Sequence, residues 1–120
     1  MTINPDSLNE EQKKKLINYQ NLQQTYEFIT SQKLQLESNL RETELAIEEL
    51  EKADPEAKVY KSIGGVLVLS ERDKLLDEKK SLKVTLEMRL KTLDQKRSRV
   101  ENQITTLRDS IQADFQNKSA

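Results

Sequence analysis

The sequence predicts a mainly α protein: an antiparallel two-helix coiled coil with one β-hairpin between the helices, the hairpin completing its sheet with strands from other chains. Three observations carry this. Two long, charged, glutamine-rich segments place apolar residues at alternating steps of three and four. Between them lie eleven residues of another kind, Val59-Tyr60-Lys61-Ser62-Ile63-Gly64-Gly65-Val66-Leu67-Val68-Leu69, which hold both glycines of the chain. The two apolar seams also match when the second segment folds back on the first, with facing residue numbers summing to roughly 126.

The chain of 120 residues reads as a single unit, with helix 1 over 7–52, a linker and hairpin over 53–70 and helix 2 over 71–115. Ser7-Leu8-Asn9-Glu10 fits a capping box, in which the serine accepts from an early helical amide and the glutamate reaches back. The first seam then runs Tyr19, Leu22, Tyr26, Ile29, Lys33, Leu36, Leu40, Thr43, Ile47, Leu50. Asp54-Pro55 ends the helix, because proline disfavours helical geometry in the residue before it. Gly64-Gly65 supplies the positive φ angles of a tight hairpin turn. Val66 to Leu69 is apolar on both faces, and an isolated hairpin is marginal in water. An exposed apolar strand edge also invites pairing with other chains. The insert is therefore expected to complete its sheet between subunits.

Ser70-Glu71-Arg72-Asp73 reads as a second capping box. The second seam is Leu75, Lys79, Leu82, Leu86, Leu90, Leu93, Arg97, Val100, Ile104, Leu107, Ile111, in which Leu82, Leu86 and Leu90 form a stutter that relaxes the supercoil. Each helix is expected to be about 65 Å long at 1.5 Å per residue. Folding back brings Leu50 to Leu75 or Leu76, Leu40 to Leu86 and Leu22 to Ile104. Residues Gln116 to Ala120 are polar and expected to fray.

Composition narrows the function. Aromatics are 4% and charged residues 34%, which excludes a thick globular core and suits helices packed on a narrow seam. A net charge of -1 gives no general drive toward nucleic acid or anionic membrane. No apolar run approaches the ~20 residues that span a bilayer. The N-terminus lacks the basic and apolar regions of a signal peptide, so a cytoplasmic location is expected. With neither histidine nor cysteine, the chain lacks the commonest general base, metal ligand and nucleophile. Glu42, Glu44, Glu48, Glu49 and Glu51 form a solvated face, because a two-stranded coil has no pocket to shift their pKa values. Gly64-Gly65 lacks the spacing and the lysine of a phosphate loop. Lys13-Lys14-Lys15 adjoins Glu10 and Glu11 and reads as a solvated face or a protein contact. No enzyme activity, cofactor or metal is expected.

The tip far from the hairpin is a candidate binding surface. Leu8, Leu16 and Ile17 precede the regular seam, where Gln12 and Lys15 are polar, and Ile111 and Phe115 lie opposite. Such a splayed end offers apolar side chains to unfolded chains; the alternative is a small cluster that closes the end of the coil. The seam residues Lys33, Thr43, Lys79 and Arg97 either snorkel outward or fix register.

At Val59-Tyr60-Lys61-Ser62-Ile63-Gly64, then Val66-Leu67-Val68 and Glu71-Arg72-Asp73, the chain resembles prefoldin, specifically its β class. The order of two long coils around one hairpin extends the resemblance over roughly Leu8 to Phe115. The α class has two hairpins. The resemblance implies an ATP-independent chaperone whose six subunits join through a β-barrel body made of their hairpins. It implies α-class partner subunits, non-native polypeptides held at the coil tips, and delivery to a group II chaperonin. Carried over by position, Val59, Tyr60, Ile63, Gly64, Gly65, Val66, Leu67, Val68 and Leu69 serve assembly. Leu8, Leu16, Ile17, Ile111 and Phe115 are the client-binding candidates. The competing reading is a structural scaffold or tether without client binding, which explains the heptads but leaves the apolar hairpin unaccounted for.

Overall fold

The first helix starts where its orphan amides find partners. In the computed structural model, which describes residues 8–119 with side chains as far as Gln116, α1 spans Glu10–Lys52. The Gln12 amide donates to Asn9 Oδ1 at 2.8 Å and the Asn9 amide donates to Gln12 Oε1 at 3.2 Å. This reciprocal box lies two residues beyond the one expected at Ser7-Glu10, so helix 1 begins at residue 10 rather than 7. Ser7 itself is outside the described residues. Glu10 and Glu11 then sit in the first turn, where the helix dipole favours them.

Helix α1 stops before proline, as expected. The Asp54 side chain accepts from the Glu56 amide at 2.8 Å, and its carbonyl accepts from the Ala57 amide at 2.9 Å, closing a turn. Strands β1 (Val59–Ile63) and β2 (Val66–Ser70) form an antiparallel two-stranded sheet. Gly64 and Gly65 have φ of +54° and +83°, the two positive values a tight two-residue hairpin turn needs. Helix α2 spans Arg72–Ser119.

Two expectations at the ends of α2 are corrected. Ser70 is not its N-cap but the last residue of β2, paired with Val59. Glu71 takes the cap position, its carbonyl accepting from the Leu75 amide at 3.0 Å. The helical backbone also continues past Phe115 to Ser119 instead of ending at 115. Ala120 is outside the described residues.

The chain divides into two compact units. In the unit Lys33–Thr92, Leu50, Leu75 and Leu76 form a buried cluster against which Ile47 and Val59 pack. Lys80 Nζ lies 3.7 Å from Glu51. In the unit Met1–Gln32 with Leu93–Ala120, the Arg97 guanidinium lies 5.0 Å from the centre of the Tyr26 ring, and Lys15 reaches Ser110 and Asp114. Within each unit these pairs run antiparallel, close to the numbering sum read from the sequence.

All ten residues of the first seam are buried or half-buried, with Ile29 only 1% exposed. The second seam differs at one place. Lys83 is half-buried while Leu82 is 40% exposed. The inward residues therefore step Leu76, Lys79, Lys83, Leu86, Leu90, Leu93, Arg97, Val100, Ile104, Leu107, Ile111 and Asp114, an unbroken alternation of three and four. The expected stutter is absent. Lys83 keeps 41% of its side-chain surface open and its amine reaches toward Glu87 at 4.0 Å, so it sits at the seam while its charged end stays in water.

Candidate functional site: hairpin and tip

The hairpin register pairs Tyr60 with Leu69, Lys61 with Val68, Ser62 with Leu67 and Ile63 with Val66. Opposed residues share a face, so Lys61, Ile63, Val66 and Val68 lie on one side and Tyr60, Leu67 and Leu69 on the other. Both sides are open. Tyr60, Ile63, Val66, Leu67, Val68 and Leu69 are all exposed, from 45% for Val68 to 69% for Leu67. Because the sheet holds only β1 and β2, the outer edge of each strand is unpaired within the described chain. Covering these six side chains would contribute on the order of 5–10 kcal/mol, since each is already about half covered.

The root of the hairpin is fixed firmly. Val59 packs against the Leu50, Leu75 and Leu76 cluster. Arg72 clamps the end of α1: its Nε–H donates to the Leu50 carbonyl at 2.7 Å and its Nη2 donates to the Glu51 carbonyl at 3.1 Å, while Nη1 meets Asp73 at 2.7 Å. The Glu51 carbonyl is among those that a helix C-terminus leaves without an intrahelical partner, and the Leu50 carbonyl also accepts from the Ala53 amide at 3.3 Å. The sequence reading missed this clamp. Its signal was a helix end without a capping glycine, which calls for a cationic donor from elsewhere. Farther along β1, Lys61 Nζ donates to Glu78 Oε2 at 2.9 Å and ties the strand to α2. That hydrogen bond, helped by the charges of Lys61, Lys74 and Lys79 and opposed by partial desolvation, holds the Glu78 carboxyl below the usual glutamate range.

The tip is built differently. Leu8, Leu16, Ile111 and Phe115 are half-buried and line one small cavity with Gln12 and Asp114. The space they enclose is about 10 Å³, room for roughly one water molecule. The end is thus closed by an apolar cluster, not splayed. Four of the five tip candidates come together there. Ile17 does not; it is 57% exposed on the outer side of α1. Lys15 completes the closure by donating to Asp114 Oδ2 at 2.7 Å and to Ser110 Oγ at 2.9 Å. From sequence, Lys15 reads as a polar break in the seam and as part of a solvated or protein-contacting lysine run, although the numbering sum already places it opposite Ile111.

The remaining polar groups have local roles. Thr43 is buried and donates to the Asn39 carbonyl at 2.8 Å, satisfying its hydroxyl within its own helix. Lys33 approaches Glu37 at 3.8 Å on α1. Arg97 stays in the seam over Tyr26. The carboxylates Glu42, Glu44, Glu48, Glu49 and Glu51 are all exposed, and Glu48 pairs with Lys52 at 3.2 Å. Among the described residues no helix is long and apolar enough to cross a membrane.

Comparison with known proteins agrees with this geometry. The family described as prefoldin subunit matches residues 13–118. The prefoldin subunit beta of Archaeoglobus fulgidus is 36% identical over 93 residues, covering 78% of this chain and 80% of that protein. The prefoldin subunit beta of Pyrobaculum arsenaticum is 42% identical over 79 residues, covering 66% of this chain and 64% of that protein. Among solved structures, the prefoldin beta subunit from Thermococcus strain KS-1 superimposes with a TM-score of 0.79 at 27% identity, covering 89% of this chain and 94% of that one.

Proposed function

The chain belongs to the prefoldin family, with the β-class subunits, and from that premise we propose that it is one subunit of an ATP-independent hexameric chaperone of the cytoplasm. It assembles with α-class subunits through its hairpin, holds non-native polypeptides at the tips of its coil, and passes them to a group II chaperonin. The single observation that supports this best is the hairpin. Six exposed apolar side chains on two open faces, flanked by two unpaired strand edges, are costly for a lone soluble chain and natural for a strand pair completed by neighbours. Holding an unfolded chain requires apolar contact and no covalent step, so the reading asks nothing of a nucleophile or a nucleotide. Each tip offers few apolar groups, and several tips acting together raise avidity by ~10²–10⁴-fold through effective concentration.

The test is to trim both sides of the tip, removing residues 1–17 and 111–120. The seam from Tyr19 to Leu107 and the hairpin remain. Assembly is expected to persist by light scattering, while suppression of aggregation of a denatured protein falls steeply, with or without ATP. A trimmed assembly that protects as well as the intact one would move the binding surface elsewhere.

A further inference from the structure

The closed tip and the proposed client site are in conflict unless the tip opens. A cavity of about 10 Å³ admits no apolar side chain, and Leu8, Leu16, Ile111 and Phe115, each half-buried, line it together. We propose that Lys15, Ser110 and Asp114 form a polar latch that holds the tip shut, so that client access is set by how often this latch releases. The inference rests on the tips being the client-binding site.

The placement of the latch supports it. Lys15 and Asp114 occupy inward positions of the two seams, four residues before Tyr19 on α1 and three after Ile111 on α2. Elsewhere in this unit the inward residues are chiefly apolar or aromatic, and an apolar pair here would close the end for good. Instead the seam ends on a charge-assisted hydrogen bond of 2.7 Å, with the two side chains 25% and 30% exposed. Such a pair is sheltered enough to hold and wet enough to release, and salt weakens it. Opening also costs little backbone structure. Lys15 lies in the second turn of α1, just after the Asn9-Gln12 cap, and helix ends open locally at far lower cost than helix centres. Release frees Leu8 and Leu16 on one side and Ile111 and Phe115 on the other, turning a filled cluster into an apolar cleft.

The latch makes a prediction of opposite sign from apolar content. Lys15→Met and Asp114→Asn remove the ion pair and keep side-chain bulk. Because apparent affinity scales with the fraction of open tips, each is expected to tighten binding of a reduced and alkylated fluorescent lysozyme about three- to tenfold. The same variants should lose most of the salt dependence of binding and speed hydrogen exchange of tip amides. The double variant Lys15→Leu/Asp114→Leu zips the seam shut and is expected to weaken binding by a similar factor, although it adds two leucines. The reversed pair Lys15→Asp/Asp114→Lys restores intermediate behaviour. All are measured in the assembly formed by the full chain, with helix content checked by circular dichroism. If the double leucine variant binds more tightly than the wild type, apolar content governs capture and the latch is overturned. If trimming the tip abolishes protection while all latch variants bind alike, the latch alone is overturned. If trimming has no effect, the tip reading falls first and the latch with it.

Discussion

The hairpin and the tip carry similar apolar side chains, yet one leaves them open and the other closes over them. The difference lies in what each element can face. Two strands form one layer, so beyond Val59 at the root the apolar residues on both sides of β1 and β2 stay exposed among the described residues. Two antiparallel helices face each other, so Leu16 and Ile111 turn inward to a shared cavity. A surface that cannot be closed by its own chain calls for permanent partners, whereas a surface that can be closed is suited to transient ones.

The sharpest way to break this contrast is to put a charge in the open surface. Val68→Asp leaves the free chain nearly untouched, because Val68 is 45% exposed there. In an assembled barrel the same carboxylate is buried without a partner, costing several kcal/mol per subunit. The assembly is expected to dissociate while the helices persist, read by light scattering beside circular dichroism. An intact oligomer would show that the hairpin faces solvent in the complex.

The next effect concerns the root that aims the hairpin. Arg72→Met removes the donors to the Leu50 and Glu51 carbonyls and is expected to cost about 2–3 kcal/mol in urea unfolding. The tip, in the other unit, should keep its hydrogen-exchange pattern; a change there would mean that hairpin and tip are not independent. A smaller loss, about 1–2 kcal/mol, is expected for Gly65→Val. Nothing lies within 4 Å of an added Cβ at Gly65, so the penalty comes from φ of +83° alone. A midpoint shift in unfolding accompanied by weaker assembly checks it.

These residues also show what the sequence could convey. Periodicity located the first seam fully, from Tyr19 to Leu50, because burial of a heptad stripe is a property of spacing. The turn was legible because only glycine adopts two successive positive φ values cheaply. Leu82 misled: hydrophobicity made it look inward, while the geometry of the seam selected Lys83. The caps were misplaced for a related reason. Ser7, Asn9 and Ser70 are all competent cap residues, and strand pairing of Ser70 with Val59 decided one case. Arg72 and Lys15 act across the fold, and their partners become visible only when two distant segments are brought together. The closure of the tip depends on those same distant contacts.

The smallest effect tests how the open surface is held against its own helix. Lys61 lies on the hairpin face with Val68, and its bond to Glu78 is the one tie from the outer part of β1 to α2 among the described hydrogen bonds. The tie lowers the Glu78 pKa, first through the hydrogen bond itself. A carboxylate whose folded pKa is depressed contributes above its unfolded value and loses that contribution as pH falls through the folded value. Acid is therefore expected to release the hairpin from α2 at a pH below the ordinary glutamate range, without unfolding the coil. Lys61→Met should raise the Glu78 pKa back toward its usual value, seen in an NMR titration of the side-chain carboxyl. Because both groups are well exposed, with 44% and 39% of their side-chain surface open, solvent screens the pair and overall stability should barely move. What should change is aim: a hairpin no longer tied along α2 presents its edges over a wider range of angles, and assembly of the Lys61→Met variant should slow without losing its final size. If the Glu78 titration is unaltered by Lys61→Met, the tie does not form in solution, and the hairpin is oriented by Val59 and Arg72 alone.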